Sequence, residues 1–269
     1  IDYVSASFDT TSLRAPLHFA RKASIARFIR AHVPNALHKL GKPQIAFMKQ
    51  YHHGVSFSNG ITLFWGGGQT YLLQLSGTAC AILSRANQID EFLTSIQANK
   101  RFIRFTRFDL ARDFIGVTVP QIMETHKPKD RITTRNRRKE STGHTEYIGH
   151  RSSNKFTRVY EYYEPHPRAG STRIEIQINK RQAGKMIDKY FEVGAHKLFD
   201  MAANTIFDVP LGDGDKLKLE TDNTRENGNT LMWLHKQVAP AVKKLLAANE
   251  ISKIELLELF GMFDDVDNS

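Results

Sequence analysis

The stretch from Thr145 to Asn179 reads TEYIGHRSSNKFTRVYEYYEPHPRAGSTRIEIQIN and predicts three consecutive β-strands. Its last part, Ser171–Asn179, alternates Thr and Ile with Arg, Glu and Gln, and a period of two places these two sets on opposite faces of a strand. A turn between Gly149 and Asn154 is expected to pair the first two strands. We therefore predict a sheet with one aliphatic face and one charged face.

The charged face of these strands collects side chains that can do chemistry. Parity places Arg158, Tyr160 and Tyr162 on one side of the middle strand. The same argument places Tyr147 on one side of the first strand and Glu175 on the charged side of the third. A sheet that only packed a core would not need phenols, guanidinium groups and carboxylates together, so this face is the first candidate site.

The composition is that of a basic globular protein. With 269 residues, of which 41% are hydrophobic, the chain can bury a large core, and its net charge of +10 attracts polyanions such as nucleic acid. No apolar run reaches the roughly eighteen residues of a membrane helix, so no membrane partner is expected. Cys80 is the single cysteine, which excludes an internal disulfide; we expect it to be buried, in a protein of the reducing cytoplasm.

Positive charge is concentrated between residues 127 and 158, where ten Lys or Arg stand against three acids. A phosphate backbone is the predicted partner of this block, and such binding weakens steeply with salt. A solvated basic loop is the alternative interpretation. The predicted phosphate or DNA contacts are Arg135, Arg137, Arg138, Arg151 and Lys155 in this block, together with Arg107, Arg158 and Arg173 on the strands.

The order of the predicted elements indicates an α+β fold with a mainly antiparallel central sheet, flanking helices and a helical C-terminus. Two related halves, each with a set of strands and a helix, fit this order. We predict a sheet-based core over residues 1–210 and a helical region packed on it over 211–269. Helices are predicted over 15–33, 79–98, 119–126, 182–207, 230–249 and 251–260, and a surface loop over 127–143.

A long strand from Phe102 to Phe114 carries two carboxylates, Asp109 and Asp113. Unpaired buried charge is expensive, so these groups are expected either at a site or in ion pairs with Arg107 or Arg112. Strict alternation predicts one face with Ile103, Phe105, Arg107, Asp109 and Asp113, and another with Arg104, Thr106, Phe108 and Leu110.

Several classes of enzyme are excluded by missing motifs. The sequence has no closely spaced Cys set for zinc, no Gly-x-Ser-x-Gly elbow and no His-x-x-x-His helix motif. A tyrosine hydroxyl can attack a phosphodiester, and a divalent ion held by carboxylates neutralises the phosphate. Asp109, Asp113 and Glu175 are the candidate metal ligands, and Arg158 and Arg173 can hold phosphate oxygens.

The motifs of this chain resemble those of a known family. In order, they are Arg107-Phe-Asp109-Leu-Ala-Arg-Asp113, Tyr147-Ile-Gly-His-Arg-Ser-Ser, Arg158-Val-Tyr160-Glu, Arg173-Ile-Glu175-Ile and Met232-Trp-Leu-His-Lys-Gln-Val-Ala-Pro240. This set resembles the signature of the replication initiation factor family (Rep_trans), which comprises rolling-circle plasmid and filamentous-phage initiators and related relaxases.

The resemblance implies a nicking and joining enzyme that cuts one strand at an origin, keeps the 5′-phosphate on a tyrosine and leaves a 3′-OH primer. It implies Tyr160 as the nucleophile, with Tyr147 as the main rival. Tyr162 stands where the family has Lys, which makes it a third candidate, and Arg158 or Lys155 are candidates to replace the lost cation. Implied partners are Mg²⁺ or Mn²⁺, origin DNA, a host helicase and polymerase, and a second copy of the chain.

Two other functions remain open from the sequence. A non-catalytic, sequence-specific DNA-binding protein, either a repressor or a degenerate initiator, is favoured by the Tyr at position 162. An RNA-binding factor that uses basic and aromatic strands is the third alternative, but the usual aromatic Gly-Phe motif is missing.

Overall fold

The computed structural model describes residues 1–9, 22–66, 70–130, 132–134, 144–151, 153–213 and 215–217, with a few positions between 240 and 248. Its strands are β1 (Tyr3–Asp9), β2 (Pro43–Ile45), β3 (His53–Phe57), β4 (Ile61–Trp65), β5 (Thr70–Leu75), β6 (Ile103–Ile115), β7 (Ile132–Thr134), β8 (Thr145–Ile148), β9 (Lys155–Glu161) and β10 (Ser171–Asn179). Its helices are α1 (Lys22–His32), α2 (Gly77–Arg85), α3 (Ile89–Ala98), α4 (Val119–His126) and α5 (Arg181–Ile206).

The described strands form one antiparallel sheet in the order β2-β3-β4-β5-β1-β6-β10-β9-β8-β7. The sheet has two halves, β1–β5 and β6–β10. The first strands of the two halves, β1 and β6, lie at the centre and pair antiparallel with each other. On its other side β1 pairs with β5, and β6 pairs with β10. Since the order of elements and the order in the sheet are the same in both halves, an approximate twofold axis passes between β1 and β6. The predicted α+β fold with two related halves is confirmed.

The chain divides into two compact units, Ile1–Lys218 and Leu219–Ser269. All the strands and helices named above belong to the first unit. The predicted helices over 230–249 and 251–260 lie outside the described residues, apart from isolated positions. No helix in the described part of the chain is long and apolar enough to cross a bilayer.

The helices of both halves pack on one face of the sheet, because that face is aliphatic. On β10 the side chains of Ile174, Ile176 and Ile178 are fully buried, which confirms the predicted alternation. In the first half, the rings of Phe8 on β1 and Phe28 on α1 meet at 5.1 Å. In the second half, Phe108 on β6 meets Tyr190 on α5 at 6.3 Å. The opposite face of β6, β10 and β9 carries the charged residues.

A β-bulge in β6 corrects the predicted alternation of this strand. Ser5 pairs with Arg107 but the next residue, Ala6, pairs with Phe105, so Thr106 is the extra residue. The hydroxyl of Thr106 hydrogen-bonds that of Ser5 at 2.5 Å. The residues that precede Thr106 in β6 therefore lie on the faces opposite to those that strict alternation predicts. Ile103 and Phe105 lie on the helix-covered face with Phe108 and Leu110, and Arg104 lies on the face of Arg107 and Asp109.

Two predicted elements differ from the structure. The single helix predicted over 79–98 is two helices, α2 and α3, because Asn87 adopts a left-handed conformation with φ of 56° and ends the first. The loop predicted over 127–143 contains the edge strand β7 at its centre. The short edge strand β2 was not predicted. Cys80 is fully buried, as expected.

Candidate functional site

Strand register places the candidate residues on the charged face of β6, β10, β9 and β8. Across β10 and β9, Glu175 lies opposite Arg158 and Arg173 lies opposite Tyr160. Tyr147 on β8 lies opposite Arg158. Residues opposite each other in an antiparallel pair share a face, and their Cβ atoms are about 5 Å apart. The short hairpin connection between β8 and β9 fixes this register.

A buried pair of carboxylates, Asp109 and Glu175, is the centre of the face. Asp109 is 0% exposed and Glu175 is 3% exposed. The guanidinium of Arg107 bridges them: its Nε donates to both carboxylate oxygens of Asp109 at 2.8 and 3.0 Å, and its Nη2 lies 3.5 Å from Glu175 Oε1. Arg158 also donates to Glu175 Oε1. Two cations thus neutralise two buried anions.

Burial raises the pKa of Asp109 to about 7, although Arg107 opposes the rise and the neighbouring Glu175 adds to it. Two carboxylates in one low-dielectric site repel each other, so a cation is needed to keep both ionised. In this structure that cation is Arg107. The arrangement is a compact cluster of two buried carboxylates and two guanidinium groups on one face.

Tyr160 is half-buried beside this centre. Its ring meets the ring of Tyr162 edge-on, with centroids 5.4 Å apart. Burial raises the pKa of the Tyr160 phenol, and the hydrogen bond with Tyr162 and the negative charge of Glu175 raise it further. The free protein therefore holds this phenol protonated, near Glu175 and directly across from Arg173.

The other two candidate tyrosines lie in different surroundings. Tyr162 stacks on His166 with centroids 4.1 Å apart and with Arg173 over its ring at 5.6 Å. Tyr147 stacks on Phe156 at 5.6 Å. Tyr147 shares the charged face with Tyr160, but its phenol is held by aromatic packing, away from the end of β9 where Tyr160 and Tyr162 meet.

Asp113 belongs to a separate cluster farther along β6. It accepts hydrogen bonds from Arg173 Nε and Nη2 at 2.7 and 3.1 Å, and from Arg168 Nη1 at 2.7 Å. Arg173 also binds Asp2 at 2.7 Å. The structure therefore brings Asp109 and Glu175 together, and it places Asp113 four residues beyond Asp109 with its own cations.

We expect Asp113→Asn to lower the free energy of unfolding at pH 7 by about 1 kcal/mol, since this is a partly exposed ion pair. Burial raises the pKa of Asp113, but the ion pairs with Arg173 and Arg168 outweigh it and hold the pKa below its ordinary value. The stabilisation is thus present above about pH 3.9, the unfolded-state pKa, and is lost as the pH falls through the lower folded-state pKa. Urea unfolding at several pH values measures it.

The matched control for that prediction is Asp130→Asn, because Asp130 is half exposed and lies 3.7 Å from Lys155. Its effect should stay within about 0.5 kcal/mol at every pH. A loss in Asp113→Asn that was as large at pH 2 as at pH 7 would contradict the electrostatic explanation.

The remaining predicted contacts are spread over the molecule. Lys155 opens β9 and pairs with Asp130, so it does not lie at the carboxylate centre. Arg151 lies over the rings of Tyr147 and Phe156, at 5.2 and 5.8 Å. The predicted contacts Arg135, Arg137 and Arg138 lie outside the described residues.

The arrangement of strands and helices is similar to that of a solved protein. The rolling circle replication initiator protein from Geobacillus stearothermophilus matches with a TM-score of 0.53, over 83% of this chain and 88% of its own, at 16% sequence identity. The chain has the fold of a rolling-circle replication initiator. No protein-family model matches the chain, and no curated protein does.

Within this initiator fold, two residues at the start of the chain complete the site, and the motifs did not reveal them. The ring of Tyr3 lies 4.1 Å from the guanidinium carbon of Arg107, and Asp2 binds Arg173. Tyr3 lies directly opposite Asp109 in the register of β1 and β6. In the sequence these two residues belong to an alternating stretch over residues 1–9, which predicts a strand. Alternation does not show which other strand it pairs with.

The oxygen donors of Asp109 and Glu175 are of the kind that a hard divalent cation prefers. Among the described residues, no three His, Cys, Asp or Glu side chains cluster as a complete metal site. Mg²⁺, however, is commonly held by one or two carboxylates together with substrate phosphate oxygens and water. The buried oxygens of Asp109 and Glu175, already gathered round one cation, meet that requirement.

Proposed function

We propose that this protein initiates rolling-circle replication by nicking and rejoining one strand of origin DNA through Tyr160. The observation that carries the proposal is the shared face, on which Tyr160 lies opposite Arg173 and within electrostatic reach of Glu175, which forms a buried pair with Asp109. The fold of a replication initiator supports it. A purely structural sheet has no use for such a set of groups.

In the proposed reaction the phenolic oxygen of Tyr160 attacks the phosphorus of the scissile phosphodiester. A bond forms between this oxygen and phosphorus, and the bond from phosphorus to the 3′ oxygen breaks. The 3′ oxygen leaves with the electron pair and takes up a proton, which gives a free 3′-OH. The reverse attack by a 3′-OH on the phosphotyrosine restores the DNA strand and releases the phenol.

The phenol must pass its proton to water as its oxygen attacks, and the surroundings of Tyr160 decide how readily it does so. Burial and the negative Glu175 keep the pKa of Tyr160 high in the free protein. Bound DNA brings the scissile phosphate next to Arg173 and Arg158, whose guanidinium groups can contact its oxygens in pairs. The ring of Tyr162 meets the ring of Tyr160 edge-on and therefore restricts the position of the attacking oxygen.

Asp109 and Glu175 would hold a Mg²⁺ or Mn²⁺ ion. This ion would neutralise charge on the scissile phosphate. Arg107 and Arg158 form ion pairs with these carboxylates, so both ion pairs would have to break for the carboxylates to hold an ion.

The partners of the proposed reaction follow from its product. Origin DNA is the substrate, a 3′-OH is the start point for a polymerase, and a helicase of the host would open the duplex ahead of it. A second copy of the chain is a further candidate partner for joining the displaced strand.

The decisive experiment maps the covalent intermediate. The protein is incubated with single-stranded origin DNA and Mg²⁺ or Mn²⁺, digested with nuclease and protease, and analysed by mass spectrometry. We expect a nucleotide on the peptide that contains Tyr160, and we expect EDTA to abolish it. A nucleotide on a different tyrosine would assign the nucleophile to that residue instead.

A non-catalytic DNA-binding role is the second candidate. The observation that favours it is that Arg107 and Arg158 already neutralise both carboxylates, without any metal ion. It predicts origin binding with no adduct from any substrate or metal, and the mapping experiment separates it from nicking.

A further inference from the structure

The half of the sheet that lies away from the candidate site has an unusual charge pattern. From Thr10 to Ile89 the sequence contains no Asp or Glu, whereas the chain average is about one acid in ten residues. The same span contains nine Lys or Arg. It includes all of β2, β3, β4 and β5. A surface without carboxylates cannot neutralise its own cations, so it attracts an anionic partner.

The cations of this half are exposed where the sheet ends. Lys39, Lys42 and Lys49, which flank the edge strand β2, are all exposed, and so are His52 and His53 at the start of β3. In the described part of the chain none of the three lysines has a carboxylate partner. The charge of this edge is therefore available to a ligand.

Apolar side chains project from the same edge. Ile45 is 78% exposed and Phe47 is 90% exposed. Clustered exposed apolar groups rimmed by polar residues mark binding surfaces, and Ile45 and Phe47 lie two positions apart between exposed lysines. A two-stranded ribbon such as β2 with β3 fits the major groove of duplex DNA, and exposed Phe or Ile side chains act as wedges between base steps.

The position of this edge suits a duplex rather than a short single strand. Between β2 and β9, which carries Tyr160, lie seven strand spacings, or about 34 Å along the sheet at about 4.8 Å each. One turn of duplex DNA is also about 34 Å long. A duplex that leads away from the nick would thus meet the edge about one turn later.

We propose that the edge formed by Lys39, Lys42, Ile45, Phe47 and Lys49 is a second binding surface, for the phosphate backbone of duplex DNA beside the nick. This proposal rests on the proposed nicking function, which supplies the nicked DNA. The lysines supply phosphate contacts that do not depend on sequence, and Ile45 and Phe47 contact the groove.

The test compares two triple variants that remove the same charge. The edge variant removes the three lysine charges of the edge and is Lys39→Gln/Lys42→Gln/Lys49→Gln. The control variant removes three exposed lysines elsewhere on the chain and is Lys100→Gln/Lys185→Gln/Lys197→Gln. Fluorescence anisotropy in EDTA measures the affinity for a duplex of about 30 base pairs and for a single strand of the same length, between about 50 and 200 mM salt.

For the edge variant we expect duplex affinity to fall by about 30-fold at low salt. The salt slope should fall by about three, because each lysine that is replaced no longer neutralises a phosphate. We expect Phe47→Ala alone to weaken duplex binding several-fold without changing the slope. The control variant should weaken binding by no more than about threefold. Equal effects in the edge and control variants, or an equal effect on the single strand, would overturn the proposal.

A parallel nicking assay keeps the two proposals apart. The edge variant should cleave a short single-stranded oligonucleotide at the wild-type rate, because no edge residue touches the Tyr160 face. If the wild-type protein cleaves nothing but the edge variant still binds duplex more weakly, the nicking proposal fails and the second surface stands. If F47A or the edge variant instead dissociates a dimer, the edge is an interface between copies and the proposal fails.

Discussion

Tyr160→Phe is expected to abolish strand cleavage and the covalent adduct, with a loss in rate of about 10⁴-fold or more, because the attacking oxygen is removed. The ring of Phe keeps the edge-on contact with Tyr162, so the fold should be unchanged. A single-turnover assay with labelled single-stranded DNA and Mn²⁺ measures the rate, and denaturing gels detect the adduct.

The two other candidate tyrosines provide the controls. Tyr162→Phe keeps the edge-on ring contact with Tyr160 and removes only the neighbouring hydroxyl, so we expect a loss of about tenfold. Tyr147→Phe keeps the stacking on Phe156 and should change the rate by less than about threefold. An adduct that survives in Tyr160→Phe and disappears in Tyr147→Phe would show that the nucleophile is on β8.

Arg107→Gln is expected to lower the free energy of unfolding by about 3 kcal/mol in the absence of divalent ions. Removing one partner of a buried ion pair leaves an uncompensated charge, which costs roughly 3–5 kcal/mol, and the lower end applies because Arg107 is about a quarter exposed. Two buried carboxylates, Asp109 and Glu175, then face each other without the bridging guanidinium. Urea unfolding in EDTA measures this loss.

A divalent ion should reverse much of that loss if the carboxylates form a metal site. We expect millimolar Mg²⁺ or Mn²⁺ to raise the melting temperature of Arg107→Gln more than that of the wild type, because the ion no longer competes with Arg107. Arg104→Gln, at an exposed position on the same strand, should change stability by less than about 0.5 kcal/mol. Equal metal responses in Arg107→Gln and the wild type would contradict the metal-site assignment.

The sequence was most informative where strands are joined by short connections. The turn from Gly149 to Asn154 fixes how β8 pairs with β9, and a slip of one residue would send every side chain to the other face. Parity placed Arg158 and Tyr160 on one face of β9, and the pairing of β8 with β9 adds Tyr147 to that face. Their chemical roles remain predictions.

The sequence was least informative about contacts between distant strands. Asp113 was expected at a site or in an ion pair with Arg107 or Arg112, but it pairs with Arg173, sixty positions away. Arg112 instead binds Asp200 on α5 at 2.5 Å. Tyr3 was not predicted for the same reason, since only the pairing of β1 with β6 brings it to Arg107. Such partners depend on register across long connections, which local patterns do not contain.

The bulge at Thr106 lets the apolar start of β6 and its acidic middle face opposite sides of the sheet. A regular strand with the same residues could not keep Ile103 and Phe105 against the helices while Asp109 faced the other way. The extra residue therefore reconciles core packing with the position of the acid. Relatives that lack it should keep the acid on the charged face, whereas relatives with a regular strand of this length should carry polar residues at the positions of Ile103 and Phe105.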